Sequence, residues 1–139
     1  MAKLLGYEEI GYLAATFKVD ETTIAKLKAN HLDASTQRVD VNGKKLGVKL
    51  SGDNTVGFGT GTAADVLFGI IIAYEQDGYA TVMTKGYLEE VPTAGEVALA
   101  SRNLVVNADG LITTAEGAES KANVIKAATA EDKFITVEF

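Results

Sequence analysis

The chain has 139 residues, a formal net charge of −6, no cysteine and one histidine. That length suits one domain, which can bury about two-thirds of its unfolded surface, and the missing cysteines exclude disulfides, thiolate–zinc sites and thiol nucleophiles. Charge is uneven: residues 1–50 carry 8 Lys/Arg against 6 Asp/Glu and residues 51–139 carry 5 against 13, so the acidic body argues against a nucleic-acid partner.

The opening MAKLLGYEEIGYLAATF lacks the apolar core of a signal peptide, and no run reaches the ~18 apolar residues of a membrane span. A soluble protein made in the cytoplasm, with no membrane partner, is expected. From about Gly11 to Val19, Leu13, Ala15, Phe17 and Val19 alternate with Tyr12, Ala14, Thr16 and Lys18, the period of a strand. DETTIAKLKANH follows, where Asp20 or Thr22 can cap a helix of about three turns. So short a helix is marginal alone, and an irregular arm over 20–37 is the competing reading.

From Arg38 the texture is β. RVDVNGKKLGVKLS alternates around Asn42-Gly43, a hairpin dipeptide, and VKLSGDNTVGFG repeats the pattern around a Ser-Gly-Asp-Asn turn. VLFGIIIAYEQDGYATVMTKGYLEEV predicts two strands, the first over Val66–Ile72, joined through Glu75–Gly78. NLVVNADGLITTA predicts a hairpin around Asn107–Gly110, and KANVIKAATAEDKFITVEF a closing one. Residues 94–102 fit a helical turn or a further short strand. Strands every 8–12 residues predict an all-β fold: a compact antiparallel β-sandwich or small barrel with at most a short helix. Residues 1–37 form its N-terminal strand and arm or short helix and 38–139 its body, one structural domain overall.

Gly57-x-Gly59-x-Gly61 invites comparison with a dinucleotide-binding loop, but Thr62 stands where the third glycine belongs and no Gly-Lys-Ser/Thr follows. The β-branched, aromatic run after it favours a strand over the helix that such a loop needs, so the glycines are expected to shape a bulged turn feeding a buried strand. His31, beside Asn30 and Asp33, is the one histidine around which a triad could form, and it sits in an irregular stretch. Asn107, Asp109, Gly110 and Glu116 match a calcium-loop frame whose first position is Val105, so a hairpin turn with Gly110 at positive φ is the simpler reading. Glu8-Glu9 and Glu89-Glu90 are paired acids. Neighbours on a strand face opposite sides, so neither pair is expected to converge on one substrate atom. No catalytic residue, cofactor or metal site is expected.

The order of segments from Val48 to the end resembles the small head decoration, or capsid cement, proteins of tailed bacteriophages. VKLSGDNTVGFGTGTAADVLFGIII is similar to that family's strand, Ser-Gly-Asp turn, glycine-rich stretch and apolar strand with an internal glycine. GYATVMTKGYLEEVP resembles the next strand with its bend at Gly86, and VVNADGLITTAEG and VIKAATAEDKFITVEF resemble the terminal hairpins. The resemblance implies a virion structural protein rather than an enzyme: a homotrimer on the outer surface of the expanded capsid, partnered with the major capsid protein lattice and with itself. A tail component or a small-ligand-binding β-barrel is the alternative. The positive balance of the first third points to Lys3, Tyr7, Tyr12, Phe17, Lys26, Lys28 and Arg38 as subunit or capsid contacts, so deleting residues 1–19 is expected to leave a soluble body that decorates capsids weakly.

Overall fold

A computed structural model of the chain describes residues 13–41, 44–75 and 77–139. In chain order it contains β1 (Leu13–Val19), α1 (Glu21–His31), β2 (Leu32–Asp33), β3 (Arg38–Val39), β4 (Gly47–Gly52), β5 (Thr55–Gly57), β6 (Gly69–Glu75), β7 (Tyr79–Lys85), β8 (Tyr87–Pro92), β9 (Leu104–Val106), β10 (Ile112–Thr114), β11 (Asn123–Lys126) and β12 (Phe134–Glu138). The all-β expectation holds, with one short helix among the described residues.

Alternation along β1 turns Phe17 and Val19 inward, and Asp20 then ends the strand and starts the helix. Asp20 is extended (φ −69°, ψ 157°), and its carboxylate accepts from the Thr23 amide at 2.8 Å. This satisfies one of the helix's free N-terminal donors. Thr23 and Leu27, one turn apart, are the buried residues of α1. Lys26 Nζ donates to the Ala108 carbonyl at 2.9 Å, which tethers the helix to the β9–β10 turn. Asp20→Ala is expected to lower stability by about 1 kcal/mol, seen as a lower urea midpoint at unchanged m-value.

Five strands close a barrel in the order β1-β5-β4-β6-β7, β7 returning to β1. Four of its five pairings are antiparallel, while β1 runs parallel to β5, with Lys18 opposite Thr55 and Val19 opposite Val56. That pairing departs from the antiparallel arrangement read from the sequence. A hairpin pattern finds only neighbours in sequence, and β1 and β5 are far apart in it. Val19, Val48, Val56, Ile71, Ala80 and Val82 are all fully buried and pack into one cluster that Leu27 joins. A small barrel is filled this way by its own side chains.

A second core lies among β8, β11 and β12, which form one sheet in the order β11-β12-β8, and the β9–β10 hairpin. Ile70, Val91, Leu104, Ile112, Ile135 and Val137 are among its fully buried members. Phe58 packs against both cores. The apolar run read as one strand over Val66–Ile72 is split between them. Val66 bridges to Val105 and Leu67 N bonds Leu104 O, whereas Phe68 N bonds Val48 O and the regular strand begins at Gly69. Gly69 permits the crossover: a Cβ there would lie 2.5 Å from Val82 Cγ1 and 2.8 Å from the Met83 carbonyl oxygen.

Asn42-Gly43 lies outside the described residues. Across it Lys44 N donates to Val41 O at 3.0 Å, as a tight turn there predicts, but among the described residues the flanking strands do not form a ladder with each other: β3 pairs with β2, and β4 with β5 and β6. Residues 94–102 form turns rather than a helix, held by the Val97–Ala128 bridge and by the Ala100 amide on the Val124 carbonyl. The turns at Glu75–Gly78 and Asn107–Gly110 fall where expected, with Gly78 at φ 90° and Gly110 at φ 80°.

Candidate functional site

The glycine-rich stretch after β5 is a packing junction. A Cβ on Gly57 would fall on the Asp20 carboxylate and lie 2.8 Å from Thr23 Oγ1, so the helix cap can seat itself only against a glycine. The next amide, Phe58 N, donates to that Thr23 hydroxyl at 2.8 Å. A Cβ on Gly59 would stand 2.6 Å from the Val106 carbonyl oxygen, and Gly61 takes φ 81°. The register shifts near this stretch fall in β4 (Leu50 to Gly52) and β6 (Ile71 to Ala73), so the three glycines serve close approach and a turn rather than the expected bulge.

No helix follows Gly61. The chain instead wraps around Asp65, which is 4% exposed. Asp65 Oδ2 accepts from Thr60 N (2.7 Å), Thr60 Oγ1 (2.9 Å), Thr62 N (3.3 Å) and Thr62 Oγ1 (3.0 Å), and Oδ1 pairs with Lys49 Nζ at 2.8 Å. The Lys49 ammonium first, then the Thr60 amide and the threonine hydroxyls, hold this carboxyl far below the usual aspartate range, against the opposite pull of burial. The loop is thus built on a charged knot that pins it to β4. Sequence reading missed Asp65. The signal was there in Thr60-Gly61-Thr62 just before an aspartate, since such residues bond local backbone and hydroxyl groups readily.

Beside the knot the barrel opens into an apolar groove of about 650 Å³. Leu13, Ala15 and Phe17 of β1 form one wall, Leu50 of β4 and the Leu67–Phe68 segment another, with Lys121 and Phe139 also lining it. Phe17 meets Phe68 edge to face, with ring centroids 5.4 Å apart. Leu13 and Leu50 remain 41% and 52% exposed, although both sit on strands whose neighbouring residues enter the core. Among the described residues the groove is therefore an uncovered continuation of the barrel interior at one end.

Where described, the residues expected as contacts stand on three elements: Phe17 on β1, Lys26 and Lys28 on α1, and Arg38 on β3. Lys3, Tyr7 and Tyr12 lie outside the described residues, as do Glu8 and Glu9. Phe17 is half-buried in the groove wall, and the Lys26 ammonium is engaged with Ala108. Lys28 on α1 and Arg38 on β3 are exposed. His31 ends α1, half-buried, where burial first and then Lys44 lower its pKa against the opposing Asp40 carboxylate.

Asn107 spends its side chain on its own turn, its Oδ1 accepting from Asp109 N (2.9 Å) and Leu111 N (3.0 Å), which accounts for the calcium-like spacing as turn chemistry. The Glu89-Glu90 reading needs a correction. Ile135 and Val137 of β12 pair with Val91 and Leu88, so β8 carries one extra residue there, and Glu90 takes φ 55°. The bulge breaks the strict alternation, and both carboxylates are exposed along one shallow depression beside the Lys126–Asp132 ion pair. Among the described residues no group of three His, Asp or Glu side chains is placed to hold a metal ion. Compared with family models, with curated proteins and with solved structures, the chain matches none.

Proposed function

We propose that this chain is a structural protein of a tailed-phage virion, which binds the outer surface of the expanded capsid as a trimer and stabilises it without catalysis. The observation that carries the reading is the succession of segments from Val48 onward. The stretches that resemble the capsid cement proteins fall on β4, the turn at Asp53-Asn54, β5, the glycine junction, β6, β7, the bend at Gly86 (φ 129°), β8 and the closing strands. Exposed apolar side chains on that body, Leu99 (64%), Tyr87 (56%) and Phe134 (46%), supply desolvation energy for a protein partner. A ligand-binding barrel is less well supported, because the interior is occupied by fully buried valines, isoleucine and alanine.

Physically the proposed role is linkage. A protein that binds only the expanded lattice shifts the lattice's stability by mass action. Three contacts held in one trimer also raise the effective concentration of each. Purified protein mixed with expanded, undecorated capsids is expected to appear as regular trimeric density by electron microscopy and to raise the temperature at which the shells break. Capsids that stay bare at saturating protein would overturn the proposal.

A further inference from the structure

The bulge in β8 builds a charged seat on the outer face of the β11-β12-β8 sheet. Ile135 pairs with Val91 and Val137 with Leu88, so Glu89 and Glu90 together stand against Thr136 alone. Side chains two apart on a strand share a face. Phe134 and Thr136 therefore lie on one side of β12, while Ile135 and Val137 enter the core on the other. Phe134, Thr136 and both glutamates line one depression of about 400 Å³.

The charge of this seat is not balanced from within. Lys126 and Asp132, also in the lining, answer each other: Lys126 Nζ bonds Asp132 Oδ2 at 3.0 Å and the Phe134 carbonyl oxygen at 3.3 Å. Lys45 Nζ donates to the main-chain oxygen of Glu89 at 2.6 Å rather than to a carboxylate. Among the described residues neither Glu89 nor Glu90 has an ion pair. Thr136 is a second and independent sign of a missing partner. It is only 6% exposed, yet its hydroxyl makes no hydrogen bond among the described residues, where a buried polar side chain ordinarily has one. Two carboxylates and a hydroxyl that can accept, beside an exposed aromatic ring, suit a planar guanidinium that donates to the oxygens and stacks on the ring.

The chain has two arginines, Arg38 and Arg102. Arg102 belongs to the acidic body itself. Arg38 ends a run of exposed residues, 32–38, that spans the β2–β3 turn. Asp33 lies directly opposite it and would be its natural counter-ion. That carboxylate is drawn into the turn instead, its Oδ1 accepting from Ser35 N (2.8 Å), Ser35 Oγ (2.7 Å) and Thr36 N (3.3 Å). Arg38 is thus left without an ion pair among the described residues. We propose that Arg38 of one copy seats in the β8 depression of the next, between Glu89 and Glu90 and against the Phe134 ring, and that three such contacts close the trimer. The inference rests on the trimer proposed above. Two different patches meet, so the contact runs head to tail, and such contacts can close into rings. It also sets the cation-rich first third of one copy against the acidic body of its neighbour.

Sedimentation equilibrium at micromolar chain tests the contact. The unsubstituted chain is expected to be a trimer that loosens as salt rises. Arg38→Lys keeps the charge but not the planar fork, and is expected to weaken association on the order of tenfold. Arg38→Glu is expected to be monomeric, with the urea midpoint of an unsubstituted monomer because the side chain is exposed. Joining Arg38→Glu to Glu89→Arg and Glu90→Arg in one chain reverses both sides and is expected to restore the trimer. Arg38→Glu that stays trimeric, or a reversed pair that stays monomeric, would overturn the contact and leave the capsid role standing. An unsubstituted chain that is monomeric would also overturn it, and would assign the seat to a different protein, the capsid included. Trimers that obey the charge swap but leave capsids bare would support the contact and remove the capsid role.

Discussion

Deleting residues 1–19 is expected to give a chain that neither folds cooperatively nor stays soluble. The deletion removes β1, the strand that closes the barrel between β7 and β5. It also removes Val19, which is fully buried in the barrel core, and the Phe17 ring that covers Phe68. Each fully buried side chain of this kind contributes about 1.5–3 kcal/mol, and the pairing from Leu13 to Lys18 is lost as well. Against a typical total of about 5–15 kcal/mol, the remainder is small or negative. The exposed edges of β5 and β7 then favour aggregation over a stable open sheet. Loss of the far-UV β signal and sedimentation of the product would bear this out, whereas a cooperative urea transition in residues 20–139 would show that barrel closure is dispensable.

This expectation replaces the one that the charge pattern alone suggests for the same truncation. The first third does carry the excess of cations, but Phe17 and Lys26 spend their side chains inside the molecule. Under the proposed role, capsid contacts are better sought on the exposed turns of the body, with Asp53-Asn54 and Asn107–Gly110 as candidates. A truncation after residue 12 keeps β1 and separates the two effects.

Elements governed by local rules were legible in the sequence. Period-two alternation placed β1 and β7, a closing hairpin pattern placed β12, Asp20 was one of two named helix caps, and Asn-Ala-Asp-Gly marked the β9–β10 turn because glycine is needed there at positive φ. Features set by distant partners were not legible. The parallel β1–β5 pairing joins segments separated by the helix and three strands, and no local pattern announces it. Val66–Ile72 reads as one strand because it is apolar throughout, yet its two ends bond different sheets. The Glu89–Glu90 bulge hides for a similar reason: it places a glutamate at positive φ, where composition would lead one to look for glycine. The groove depends on where β5 stops, a property of the assembled barrel rather than of any one segment.

The second large effect is expected at Asp65. Asp65→Asn keeps the shape but ends the ion pair with Lys49, and an amide nitrogen cannot accept the bonds that Thr60 and Thr62 now donate to Oδ2. Thr60 and Thr62 are exposed enough for water to take over part of the lost bonding, so the cost at neutral pH is expected near 2–3 kcal/mol rather than more. Lys49→Met is expected to cost less. The threonine donors still hold the carboxylate in that variant, and Lys49 is itself 28% exposed.

The pH dependence separates this account from a simple loss of packing. The folded-state pKa of Asp65 is depressed, so its stabilisation is fully present above the ordinary aspartate value of about 4. As pH falls below that value the unfolded chain takes up the proton first, and the contribution is lost progressively through the folded-state pKa. The gap in urea midpoint between the native chain and Asp65→Asn should therefore be widest near pH 7 and narrow steadily below pH ~4. A gap of the same size at pH 7 and pH 3 would mean that the carboxylate's charge is not what holds the loop to β4.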